Sequence, residues 1–168
     1  MDVAAMGRAT NRVGIKIRSL AGEDRGAVED ALVACEAFTA DEIRVALEMV
    51  QEGIGGGYLV PALEVDGIVR AYGCVGKAEL TQSTWYLYWI CVHPLYQRAG
   101  LGSELQAHIE RLVRDNSGER LVLETSGRAD YARSRRFYQR AGFTEAGRIP
   151  DFYKPGDDCV VYCKLLES

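Results

Sequence analysis

The sequence predicts an α+β fold: one mixed, mostly antiparallel, twisted sheet of about six or seven strands with helices on both faces. Three observations carry this. Residues 58–92 read as three consecutive strands, two of them joined across Asp66-Gly67, a pair suited to the positive φ angles of a tight hairpin. After Val92 the order turns to strand, helix, strand, which calls for a right-handed crossover between roughly parallel neighbours. The chain has 168 residues, 48% of them apolar, a size and composition that suit one domain with a sizeable core.

Each element has its own signal. Residues 1–12 are small and polar without periodicity and are expected to form a flexible tail, leaving a single domain over 13–168. Val13 to Leu20 alternates apolar and polar positions, as a half-buried strand does. From Glu23 to about Glu52, Val28, Leu32 and Val33 and then Ile43, Leu47 and Val50 recur at helical spacing, and Thr39 or Asp41 can cap the second helix. Gly53 to Gly57 turns the chain into strands Tyr58 to Val65, Ile68 to Val75 and Thr84 to Val92, the last rich in aromatic and branched residues. Helices follow from about Gly100 to Asp115 and Asp130 to Ala141, alternating with strands Arg120 to Thr125 and Phe143 to Arg148, before a final strand Cys159 to Leu165.

Composition excludes several classes. No stretch is long and apolar enough for a signal peptide or a membrane span, so a soluble cytoplasmic protein is expected, with no membrane partner. Five cysteines, an odd number without a CxxC pair or clustered histidines, indicate neither a disulfide framework nor a metal site. They read as reduced and mostly buried. A net charge of -4 and a pI near 5.3 disfavour nucleic acid and weakly suit a cationic substrate.

The segment Gln97-Arg98-Ala99-Gly100-Leu101-Gly102 sits between a strand ending at Val92 and an amphipathic helix with Leu101, Leu105, Ile109 and Leu112 on one face. A helix start offers backbone NH groups without intrahelical acceptors, and glycine lets a phosphate approach them. No Lys-Ser or Lys-Thr follows the glycines, which rules out a P-loop, and the preceding His-Pro argues against a dinucleotide fold.

This segment resembles the Q/R-x-x-G-x-G/A signature of the GNAT superfamily, the GCN5-related N-acetyltransferases. Downstream, Arg136-Phe137-Tyr138-Gln139-Arg140-Ala141-Gly142-Phe143 is similar to the FYxxxGF motif of the same superfamily. The likeness covers roughly Tyr58 to Leu166 and is nearest the branch of ribosomal-protein alanine acetyltransferases. It implies acetyl-CoA as cosubstrate; that no metal is expected rests on the cysteine and histidine pattern above. The backbone of Ile90, Cys91 and Val92 would pair with the pantetheine arm, and the NH groups of Arg98, Ala99, Gly100, Leu101, Gly102 and Ser103 would hold the pyrophosphate. It further implies Tyr138 as the general acid, Glu124 as the general base, and a backbone NH between Ile90 and Val92 for the oxyanion. Tyr138 suits this role because a phenol normally stays protonated above the pKa of a thiol. A water chain is the alternative to Glu124. That branch often has asparagine seven residues before the tyrosine; here the position is Tyr131, and no role is carried to it.

Other residues carry less. His93, His108 and Cys91 are explained by exposure, packing and burial respectively. The basic run Arg133, Arg135, Arg136 and Arg140 reads as a solvated face from which one side chain can reach a phosphate. One row of the strand Trp85-Tyr86-Leu87-Tyr88-Trp89-Ile90 is expected to line the acceptor cleft and the other the core, and Asp151-Phe152-Tyr153, followed by Gly156-Asp157-Asp158, is placed in the loop between the last two strands, where acids and aromatics can receive an ammonium and where turn chemistry and solvation account for the same residues. The expected activity is transfer of acetyl to a primary amine, small-molecule or protein, by direct attack in a ternary complex. A non-catalytic acyl-CoA-binding module and a CoA-independent interaction domain are the rivals, and paired C-terminal strands leave room for a homodimer.

Overall fold

A computed structural model describes residues 14–36 and 38–167; the tail expected over residues 1–12 lies outside them. The chain opens with strand β1 (Ile15–Ser19) and helices α1 (Arg25–Ala34) and α2 (Ala40–Ile54). Strands β2 (Pro61–Val65), β3 (Ile68–Lys77) and β4 (Thr84–Val92) follow. Then come α3 (Leu101–Asp115), β5 (Arg120–Ser126), α4 (Ala132–Arg140), β6 (Thr144–Lys154) and β7 (Asp157–Leu165). The strands form one sheet in the order β1-β2-β3-β4-β5-β7-β6.

The sheet has a core on each face. One gathers Leu63, Val75, Leu87, Leu105, Ile109, Leu123 and Tyr162 beneath α3 and α4; the other gathers Val28, Leu32, Leu47, Val50, Tyr72 and Cys91 beneath α1 and α2. Local chemistry sets the boundaries. Thr39 caps α2 in a reciprocal box, its hydroxyl accepting from Glu42 N while the Glu42 carboxylate accepts from Thr39 N, an arrangement worth about 1 kcal/mol. Asp66 and Gly67 both take positive φ, 52° and 81°, and close the β2–β3 hairpin. In α3, Leu101, Leu105, Ile109 and Val113 are buried at intervals of four, with Val113 deeper than Leu112.

The antiparallel meander β1 to β4 and the parallel β4–β5 crossover are as the sequence predicts. The last two strands differ. β7 lies between β5 and β6, antiparallel to both, so β5 and β6 are not neighbours. β6 also runs on to Lys154 and takes in Asp151, Phe152 and Tyr153, which the sequence places in a loop. Pro150 and Asp151 obscure this extension. Proline donates no ladder bond, Asp151 has φ of 53°, and the β6–β7 register slips between Ile149 and Lys154, where an edge strand tolerates it.

Candidate active site

Strands β4 and β5 pair over only three positions, Thr84 with Arg120, Trp85 with Leu121 and Tyr86 with Val122. Past these each keeps its outer partner, β3 or β7, while the facing edges of Leu87–Val92 and Leu123–Ser126 carry no shared ladder. The sheet splits there, and a cavity of about 1090 Å³ opens in the split. Ile90, Glu124 and Tyr138 all line it, so the proposed acid and base face one space beside the β4 edge.

A β-bulge shapes that edge. Trp89 pairs with Cys74 but Leu87 with Val75, which leaves Tyr88 as the extra residue. Side-chain parity inverts across it: Trp85 and Leu87 pack under α3, whereas Trp89 and Cys91 pack under α1 and α2. The expectation that one alternating row faces the cleft fails for this reason. Tyr86, Tyr88, Trp89 and Ile90 all line the cavity.

Beyond β4 a 3-10 turn, Pro94–Tyr96, leads to the start of α3. The Gln97 side chain donates to the Val92 carbonyl at 3.0 Å and so clamps the loop to the strand end. Arg98 and Gly100 are both left-handed, with φ of 68° and 84°, a conformation that aims neighbouring NH groups toward one side. Among the described residues, the NH groups of Arg98, Gly100, Leu101, Gly102 and Ser103 find no backbone acceptor; that of Ala99 reaches Tyr96 O at 3.4 Å. A side chain on Gly102 would sit 3.4 Å from both the Val92 methyl and the Phe137 ring. The donor set fits a diphosphate.

Helix α4 links this cradle to the cavity. Arg135 donates to the carbonyls of Ser126 at 2.6 Å and Arg128 at 2.7 Å, which pins the start of α4 to the end of β5; the solvated-face reading of this arginine is corrected. One turn on, Phe137 packs toward Gly102 while Tyr138 faces the cavity, as adjacent helical positions about 100° apart allow. The Tyr138 ring sits among Phe137, Phe143 and Tyr162 at centroid distances of 5.5, 6.0 and 6.2 Å. Burial pushes its phenol up to about 12, so it holds its proton at neutral pH.

Three further elements complete the walls; of their residues only Tyr153 and Asp157 belong to the segment that the sequence offers for receiving an ammonium. Cys35, Glu36, Phe38, Thr39 and Glu42 approach from the α1–α2 connection, and Phe38 lies 5.0 Å from Trp89, ring to ring. Tyr131 and Ser134 come from the start of α4, and Tyr153, Lys154 and Asp157 from the β6–β7 hairpin. Glu124 is exposed on β5, and Tyr153, whose hydroxyl reaches Cys159 Sγ at 3.8 Å, lies beside it. Asp157 is buried and accepts the Ser126 hydroxyl. Five carboxylates line the cavity against one lysine.

His93 turns its Nδ1 to the Leu95 NH, and His108 is half-buried on α3; neither lines the cavity. No group of three or more potential metal ligands occurs among the described residues, and among them no helix is long and apolar enough to cross a membrane.

Comparison with known proteins places these features in context. The model of the acetyltransferase (GNAT) family matches residues 27–143. A crystal structure of a GNAT-family protein from Desulfovibrio desulfuricans is 35% identical, with TM-score 0.87 over 91% of this chain and 99% of that one. The ribosomal-protein-S18-alanine N-acetyltransferase of Escherichia coli shares the fold at 24% identity and TM-score 0.75, covering 92% of this chain and 95% of that one. So does a Salmonella typhimurium protein solved with its cofactor acetyl-CoA, at 21% identity and TM-score 0.73, over 92% and 95%. No curated protein matches the chain.

Proposed function

This chain belongs to the GNAT acetyltransferase family, and on that premise we propose that it transfers the acetyl group of acetyl-CoA to a primary amine by direct attack in a ternary complex. One observation carries the proposal: the 1090 Å³ cavity that holds Ile90, Glu124 and Tyr138 abuts, through α4, a helix start where, among the described residues, the NH groups of Arg98, Gly100, Leu101, Gly102 and Ser103 find no backbone acceptor.

Bound acetyl-CoA supplies the thioester. The NH groups from Arg98 to Ser103 grip its diphosphate, with Gly100 supplying the left-handed turn and Gly102 the close approach of α3 to Val92 and Phe137. The open edge of β4 from Ile90 to Val92 aligns the pantetheine arm, and a backbone NH of this segment meets the charge that develops on the acyl oxygen. Glu124, directly or through water, takes a proton from the ammonium so that the neutral amine attacks. Tyr138 donates its proton to the departing thiolate, a role for which a phenol held near 12 is correctly protonated.

The carboxylates around the cleft favour a cationic acceptor, which reaches the site as an ammonium. Small-molecule amines and protein or peptide amines both remain within this class.

Calorimetry with acetyl-CoA, followed by thiol release across a panel of amines, tests the reading. We expect saturable binding and turnover with at least one amine. Absence of binding at millimolar acetyl-CoA would remove it, while binding without turnover on any amine would favour an acyl-CoA-binding module.

A further inference from the structure

Two thiols meet at the cleft wall in a way that acetyl transfer does not require. Cys35, at the C-terminal end of α1, and Cys91, on β4, are 56 residues apart in sequence, yet their Sγ atoms lie 3.6 Å apart. Cys35 is half-buried and lines the cavity, whereas Cys91 is 3% exposed. A disulfide bond of about 2.05 Å asks the sulfurs to close by roughly 1.5 Å. The chain just past Cys35 is a short connection that begins with Glu36 at a left-handed φ of 52°, so the rearrangement falls between two helices and not within one.

We propose that Cys35 and Cys91 are a site of reversible disulfide formation by hydroperoxides, and that the bond ties the α1–α2 wall of the cleft to β4. Cys35 is the attacking sulfur. It is the more accessible of the two, and its contact with Cys91 holds its thiol below the ordinary value; that same contact, together with burial, pushes Cys91 up. The Cys35 thiolate attacks one peroxide oxygen and expels hydroxide, becoming a sulfenic acid. The Cys91 sulfur then attacks Cys35 Sγ, losing its proton as water leaves. Two thiols and one hydrogen peroxide thus give one disulfide and two waters, with two electrons passing from sulfur to peroxide oxygen. A dithiol reductant reverses it.

The other cysteines are placed differently. Cys74, Cys159 and Cys163 have no second thiol within hydrogen-bond reach among the described residues, and burial pushes Cys74 up to about 12. Among the described residues, only the Cys35–Cys91 pair joins a cavity wall to the sheet. Phe38, Thr39 and Glu42 line the cavity just beyond Cys35, so a bond to β4 restrains that wall.

The test treats the full-length protein with hydrogen peroxide and maps its peptides by mass spectrometry without reduction. The expected product is a Cys35–Cys91 peptide pair lighter by two hydrogens and restored by dithiothreitol. Cys35→Ser, at a half-buried position, is expected to abolish the mass loss and leave Cys91 unoxidised. Oxygen addition at Cys35 without a bridge, or bridging among the other cysteines at the same rate, overturns the proposal. The second half, the restraint of the cleft wall, rests on the acetyl-transfer reading: bridged protein is expected to turn over amine at least tenfold more slowly and to recover on reduction. Unchanged turnover in fully bridged protein overturns that half. Should the reduced protein show no turnover at all, the acetyl-transfer reading fails while the mass measurement still decides whether the bond forms.

Discussion

Tyr138→Phe removes one oxygen and leaves the packing intact. The ring contacts with Phe137, Phe143 and Tyr162 persist, and among the described residues the hydroxyl has no hydrogen-bond partner to strand. At neutral pH, folding stability should therefore change by less than about 0.5 kcal/mol. Loss of a positioned general acid costs about 10²- to 10⁴-fold in rate, which corresponds to about 2.7–5.4 kcal/mol of barrier. The fall should appear in kcat, measured by amine-dependent thiol release, with the calorimetric Kd for acetyl-CoA unchanged, because the diphosphate cradle lies on α3. A second readout follows from linkage. Burial pushes the phenol from its ordinary value of about 10 up to about 12, so its stabilisation is complete below pH 10 and is lost as pH rises toward 12, by roughly 2–3 kcal/mol. Tyr138→Phe should be spared that alkaline loss. A variant that retains wild-type kcat would refute the assignment of Tyr138 as the acid, and one whose Kd rises in step with its loss of rate would make the tyrosine a binding group.

Three further outcomes are expected. Glu124→Gln should lower kcat/KM about 10²-fold in stopped assays with a fixed amine, whereas an unchanged rate assigns proton removal to water. Gly100→Val forces a branched side chain into φ of 84°, a strain of about 1–2 kcal/mol, and should weaken acetyl-CoA binding about tenfold in calorimetry. Arg18→Met breaks contacts of 2.6 and 2.9 Å to Asp24 and 2.8 Å to Glu64, and leaves the buried Asp24 carboxylate without its cation. A loss of about 3 kcal/mol is expected, or about 6–12 °C in Tm. Arg18 holds the Asp24 carboxyl below its ordinary 3.8, so this stabilisation is present above that pH and disappears as pH falls through the folded value; the gap between wild type and variant should narrow in acid.

Much of the fold was legible because local chemistry and tertiary structure agree. Asp66-Gly67 turns where its φ preferences say, Thr39 caps where a capping box stands, and Gly100 sits left-handed at the start of α3. What escaped depends on relations between distant segments. Nothing in the sequence Tyr86 to Ile90 announces that Tyr88 is a bulge, because the extra residue is defined by its partner strand, and parity read from one strand inverts beyond it. The insertion of β7 between β5 and β6 is a choice of neighbour that periodicity does not encode. The α1–α2 wall was missed because its cavity residues lie outside any motif, and the contact between Cys35 and Cys91 joins residues that merely read as buried.

That strand order also bears on how the protein is made. During synthesis β6 leaves the ribosome before β7 does, and β6 has no other strand to pair with. The side of β5 away from β4 is in the same position. For as long as residues 157–165 are missing, a nascent chain carries the Glu124 edge of the cleft and all of β6 without their ladder, in the state most open to wrong pairing with another chain. The half of the sheet that carries the cleft therefore cannot mature until residues 157–165 have been made.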